Sequence, residues 1–154
     1  MSTSVAPALA AVTELRTLSG MNHGLLSRNL DGVTDALATT APGAGNPIAW
    51  SLGHVVYWRQ AMLKMLGAAP VWAEGEASGF QGTSRDLPAR VDKPWAAVLE
   101  AYETSHARLA EALGAVDALP ADLARGLAQL LCHETYHIGQ IALARRVVGL
   151  PGAI

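Results

Sequence analysis

The chain of 154 residues is poor in the features that mark several protein classes. It holds one cysteine, Cys132, so no internal disulfide framework can form, and a lone thiol suits a reducing compartment. Only 16% of residues are charged, and 11 Lys and Arg stand against 13 Asp and Glu with no basic block anywhere. Nucleic-acid binding normally leaves a Lys/Arg-rich footprint, so no nucleic-acid partner is expected. No apolar run approaches the roughly 20 residues needed to span a bilayer. The opening MSTSVAPALAAVTELR lacks a basic n-region, and Thr13 and Glu14 interrupt its apolar run, so it does not read as a secretory signal. The expectation is a soluble, cytoplasmic protein without a membrane partner. Strand-like alternation and internal repeats are missing too.

What remains is a strong helical pattern. Half of the chain is apolar (51%), and its length suits one domain with a single core, taken here as residues 1–154. Four segments show helical spacing. The first runs from about Pro7 to Ala38, with Val12, Leu15, Leu26, Leu30, Val33 and Leu37 on its apolar face. Gly20, Gly24 and Gly32 each cost it about 1 kcal/mol against alanine, so a break near residue 20 is expected. The second segment follows APGAGNP, with Asn46 as N-cap and Pro47 at the first helical position, and runs to about Leu66. It is apolar almost all round: one stripe holds Ile48, Leu52, Val55, Met62 and Leu66, and another Trp50, His54, Trp58, Ala61 and Met65. Only Gly53, Tyr57, Gln60 and Lys64 form a polar strip. A helix covered on two sides is central, lines a pocket or meets another subunit, and on this ground a homodimer is expected.

Residues 67–91 have no period, and loops of that length in a compact domain are usually lids or covers. The third segment opens near Asp92-Lys93-Pro94 and buries Trp95, Val98, Leu99, Tyr102, Leu109 and Leu113. After LGAVDALPAD the fourth starts at Pro120 and ends at Gly149-Leu150-Pro151-Gly152, with Arg145 and Arg146 complementing the dipole of its last turns. The fold class expected is all-α, an antiparallel four-helix bundle with a long loop between its second and third helices.

Chemistry concentrates in LCHETYHIGQ, residues 131–140. His133 and His137 lie one turn apart on a single helical face, close enough for both imidazoles to reach one ion at roughly 2.0–2.1 Å. With Glu134 the pattern reads HExxH, a zinc-peptidase signature. A peptidase needs a further ligand downstream, however, and the chain after His137 holds neither an acid nor a histidine. The third ligand must come from upstream. His54, among the tryptophans of the second segment, and His106, on the apolar face of the third, compete on equal terms. His23, at the edge of the first apolar face, suits a surface or supporting position.

NPIAWSLGHVVYWRQAML and HETYHIGQIALARRVVG together resemble the DinB/YfiT-like metalloenzymes, whose bundles hold a metal on one histidine of the second helix and an HxxxH pair of the fourth. The resemblance covers nearly the whole chain in helix order and loop placement. It implies His54, His133 and His137 as ligands and leaves His106 as a pocket or core histidine. It also implies thiol-dependent chemistry, since characterised relatives include bacillithiol-dependent S-transferases and a mycothiol-dependent maleylpyruvate isomerase.

Three imidazoles leave open coordination positions for water or substrate, and such a site accepts zinc or nickel. The expected cofactor is therefore a divalent metal (Zn or Ni), and the resemblance further implies a low-molecular-weight thiol as co-substrate and a small molecule as substrate. Arg59 and Arg85 are the only candidates to hold an anionic thiol. Glu134 flanks the ligand face and is expected to be solvated or bonded to a neighbouring helix, although a metal-dependent hydrolase would aim it at the bound water. Gln140, on the ligand face, either supports an imidazole or bridges helices. Trp50 and Trp58 pack or line a pocket, and Cys132 points away from the ion as a packed thiol. No catalytic residue is assigned. The remaining alternative is a non-catalytic, stress-associated dimer whose ion only pins two helices.

Overall fold

The computed structural model describes residues 5–82, 91 and 93–153, and the side chains of residues 11 onward among them. The described residues form helices and no strand: α1 Val5–Leu30, α2 Asp35–Thr39, α3 Ile48–Met65, α4 Trp95–Gly114 and α5 Ala121–Val147, with a 3-10 turn at Ser78–Phe80. The all-α class holds. α1 packs against α4 and α5, and α3 against both as well, while α2 touches α3 and α4.

Three long helices begin in the same way. Pro47, Pro94 and Pro120 precede α3, α4 and α5 with ψ near 149°, 144° and 141°, and none supplies a side-chain cap. Each proline carbonyl accepts the first helical bond, from Ser51, Val98 and Ala124 respectively. Proline has no N–H to leave unpaired at such a position. The expected cap at Asn46 is thus displaced by one residue to Pro47, and the Asn46 Oδ1 atom is left buried without a partner. Asp92, at the expected start of the third segment, lies outside the described residues, as does Arg85.

The break in the first segment falls elsewhere than expected. α1 runs uninterrupted through Gly20 and Gly24 to Leu30, and the chain turns at Gly32, where φ is 73°. Packing on α4 and α5 outweighs the weak propensity of the two earlier glycines, whereas a positive φ favours glycine strongly. α2 is then a separate five-residue helix capped by the Thr34 side chain.

α3 is the central element, with Ile48, Leu52, Val55, Val56, Met62 and Leu63 at most 1% exposed. Gly53, expected on a polar strip, is buried as well. Just past the end of α3, the Gly67 N–H bonds the Lys64 carbonyl while Ala68 N–H bonds that of Leu63, a closed C-terminal turn. The described part of the following loop is held down: Trp72, Ala77 and Phe80 are buried, and the Trp72 and Phe80 rings stack at 5.3 Å. Arg145 does more than offset a dipole. It is buried and donates to the carbonyls of Asn29, Asp31 and Pro151, tying the end of α1 to the tail.

The apolar interior is in two parts. One contains Leu26, Ile48, Trp50, Leu52, Phe80, Trp95, Val98, Ile138 and Ile141. The other contains Leu15, Met62, Leu63, Leu109, Leu113, Leu127 and Leu131. Between them lies a polar layer to which all four long helices contribute. Arg59 of α3 donates twice to Glu134 of α5, at 3.1 and 2.6 Å, and to the Tyr102 carbonyl and Ser105 hydroxyl of α4, each at 3.3 Å. The Tyr102 hydroxyl donates to the His23 carbonyl of α1 at 2.9 Å, and Asn22 Nδ2 donates to the Leu131 carbonyl of α5 at 2.9 Å.

Candidate metal centre

α3 and α5 bring His54, His133 and His137 together. One nitrogen from each ring lies within 4.8 Å of the others, and the His54 ring centroid is 5.4 Å from that of His133 and 4.6 Å from that of His137. The sequence left His54 and His106 level on spacing; the structure places His54 with the pair. His106 instead stacks on His23, centroids 3.6 Å apart and planes 1° from parallel.

The donor set suits a divalent ion. The His133 and His137 Nε2 atoms are 3.0 Å apart, close to the chord of about 3.3 Å that two ligands at 2.0–2.1 Å subtend on a tetrahedral ion. His54 Nδ1 is 2.6 Å from the Phe80 carbonyl, an acceptor only, so Nδ1 carries the proton and Nε2 carries the lone pair. Burial lowers the pKa of His54 and of His133, the Phe80 carbonyl opposing it at His54. Burial, then His54 and His133, bring His137 down to about 4. All three rings are therefore neutral near pH 7, the form that coordinates metal.

Two details refine the picture. His137 Nδ1 and Gln140 Oε1 are both buried and unpaired, and Gln140, held by Tyr136 at 2.9 Å, lies close enough to pull the His137 pKa upward. A small rotation would let Nδ1–H donate to Oε1 and fix the ring with Nε2 facing inward. The Trp58 indole N–H donates to His54 Nε2 at 2.9 Å, taking the lone pair an ion would use. Trp58 must release it when metal binds.

The tryptophans therefore belong to the site. Trp50 stacks on His54 at 4.9 Å with its N–H on the Gly79 carbonyl, and Trp58 meets the His133 ring edge-on at 5.5 Å. Glu134, by contrast, is engaged elsewhere: both oxygens accept from Arg59 in a pair whose side chains are 1% and 2% exposed. Burial opposes the Arg59 charge, but the Glu134 carboxylate more than compensates, and its pKa is raised. Arg59 is thus committed and not free for an anionic thiol. Cys132 is exposed, not packed, because the helical turn that directs His133 inward directs its neighbour to solvent.

Phe80 and Gly53 escaped the sequence reading. A Cβ at Gly53 would stand 2.2 Å from Phe80 Cε1, so only glycine lets the loop approach α3 closely enough for its carbonyl to reach His54. A glycine beside a histidine inside an apolar helix was the available signal. A cavity of ≈ 560 Å³ lies under the described part of the loop, walled by Tyr57, Gln60, Lys64 and Trp72. A second, of ≈ 310 Å³, lies between the segment before α3 and the end of α5, with Asn46, Ser51 and Gln140 in its walls.

The family model for the DinB superfamily matches residues 21–141. The chain belongs to the DinB superfamily. The matched span takes in all five histidines, and so the whole three-histidine cluster of this DinB-superfamily protein. No match is found among curated proteins. Among the described residues, no helix is long and apolar enough to cross a membrane.

Proposed function

We propose that this DinB-superfamily chain is an antiparallel four-helix bundle that holds a divalent ion on His54, His133 and His137 and serves thiol-dependent S-transfer or isomerisation of a small molecule. The observation that carries this reading is the convergence of three neutral imidazoles from two helices within 4.8 Å. Zinc or nickel bound there would supply Lewis acidity and lower the pKa of a water or thiol it held. The chain's own part is to position and to shield. The Phe80 carbonyl fixes the His54 tautomer, Gln140 stands close enough to support His137 after a small rotation, and Trp50 and Trp58 pack against the rings. Hydrolysis is the weaker chemistry, because the carboxylate that would serve as base is held by Arg59.

A second reading has one observation in its favour: the Trp58 N–H already satisfies His54 Nε2, as it would in a site that only pins α3 to α5. Metal analysis of purified protein tests both, with one zinc or nickel per chain expected and His54→Ala expected to lose it. Stoichiometric metal in His54→Ala would overturn the ligand assignment. Cobalt-loaded protein should then change its visible spectrum when a small thiol is added; an unchanged spectrum supports the pin. We also place the protein in the cytoplasm as a homodimer. Most of the apolar surface of α3 is consumed within the chain, Met65 at its end excepted, so the dimer rests on exposed Met21, Met65, Tyr136, Leu143 and Val147, and sedimentation at micromolar concentration checks it.

A further inference from the structure

We propose that the ≈ 560 Å³ cavity under the loop after α3 is a binding site for a small zwitterion of the α-amino-acid type, with its carboxylate held by α3 and its ammonium by the loop. The inference stands apart from the metal reading, since none of the three clustered histidines lines this cavity.

α3 carries one polar strip on an otherwise apolar helix. Of its members, Gly53 is accounted for by the Phe80 ring packed against it. Tyr57, Gln60 and Lys64 follow at i, i+3 and i+7, the spacing of a single helical face, and all three line the cavity. Gln60 Oε1 accepts from the Trp72 N–H at 2.6 Å, which fixes the amide and leaves its Nε2 as a donor to spare. Among the described residues, neither that nitrogen, the Tyr57 hydroxyl nor the Lys64 ammonium has a partner, and none of the three is sealed from solvent. Three donors on one face, one of them charged, match a carboxylate, whose oxygens only accept.

The loop wall carries the opposite sign. Glu74 lines the cavity and, among the described residues, pairs with nothing, Lys64 included. Its neighbour Glu76 is committed, accepting from the Ala73 N–H at 2.8 Å and standing 3.7 Å from Lys93. The cavity thus offers one cation from the helix and one anion from the loop. Ala61, Ala68 and Ala77 supply small apolar walls, and the volume lies within the about 300–1,000 Å³ usual for small-molecule sites. A simple anion would suit Lys64 and be repelled by Glu74, and a simple cation would do the reverse. A molecule carrying both charges on a short apolar body satisfies both walls.

L-phenylalanine, hydrocinnamate and phenethylamine share one ring and carry both charges, the carboxylate alone and the ammonium alone. NMR titration of the metal-free whole chain with each gives the three affinities without involving the ion. L-phenylalanine should bind about fivefold more tightly than either analogue, the upper end for one solvent-exposed ion pair. Lys64→Met should weaken L-phenylalanine about fivefold and leave phenethylamine no weaker, and Glu74→Gln should weaken L-phenylalanine about fivefold and leave hydrocinnamate no weaker. Both side chains are exposed, so neither exchange threatens the fold. Equal affinities for the three compounds, or binding of none, overturn the proposal. So does a loss in only one variant, which would mean a ligand held by a single charge, or in neither. Zinc stoichiometry, read separately, keeps the two ideas apart: selectivity for L-phenylalanine without zinc uptake sinks the metal reading alone, and zinc uptake without selectivity sinks this site alone.

Discussion

Replacing Gly53 by alanine should weaken the fold and the metal site together, against the usual trend. In a helix interior alanine is normally better than glycine by about 1 kcal/mol. At Gly53, however, the new Cβ would lie 2.2, 2.4 and 2.6 Å from three carbons of the Phe80 ring. Carbon pairs settle at about 3.5–4.0 Å, so the ring must withdraw by more than about 1 Å. Overpacking of this kind costs about 1–3 kcal/mol, leaving a net loss of up to about 2 kcal/mol after the propensity gain. For a chain of this size each kcal/mol lowers Tm by about 2–4 °C. The withdrawing segment carries the carbonyl that holds His54 Nδ1 at 2.6 Å, and losing such support typically costs about 10–100-fold in metal affinity. Thermal unfolding of metal-free protein and zinc titration against a chelator would measure the two effects. Gly20→Ala is the control: nothing lies within 4 Å of a Cβ there, so it should stabilise α1 without touching zinc affinity. Gly53→Ala with Phe80→Ala removes the clash but keeps the backbone carbonyl, and should recover zinc affinity while remaining less stable. If Gly53→Ala alone matched the parent protein in Tm and zinc affinity, the argument that loop contact positions His54 would be wrong.

Trp58→Phe removes the N–H that occupies His54 Nε2 and should raise zinc affinity in the chelator titration, whereas a fall would mean that Trp58 supports the bound state. Glu134→Gln strips the buried Arg59 of its counter-charge and should cost about 3–5 kcal/mol in urea unfolding, while the folded fraction keeps its zinc; a loss below about 1 kcal/mol would contradict the buried pair. The stacked His23 and His106 titrate near 4, burial being the main cause, against an ordinary 6.5. Between those values the unfolded chain binds more protons than the folded one. Their contribution is therefore complete above pH 6.5 and lost as pH falls toward 4, by at most about 1.4 kcal/mol per unit for each ring. His23→Gln with His106→Gln should flatten unfolding free energy against pH over that range, and an unchanged slope would refute the assignment.

The helices were legible because their apolar faces repeat at 3.6 residues over several turns, and the HxxxH pair because two ligands on one helix are a local pattern. What the sequence left open depends on contacts between segments far apart in the chain. His54 and His106 look alike on their own helices, and only docking of α3 on α5 separates them. Glu134 has the sequence position of a peptidase base, but its direction is set by Arg59, an ion partner 75 residues away. Phe80 acts through its backbone carbonyl, which no side-chain pattern reveals. The α1 break was misplaced because propensity was weighed without tertiary packing, which carries a helix through Gly20 and Gly24.

The polar layer that divides the interior has a consequence for how this protein can vary. A helix that slid by one turn would bury Arg59 or Glu134 alone, so the layer acts as an index mark that locks the axial alignment of the long helices. The leucine-rich compartment beyond it, around Leu15, Leu63 and Leu127, can then be repacked for stability at a distance from the imidazoles. Evolution and engineering alike thus have a structural half to harden and a reactive half to reshape, each with little effect on the other.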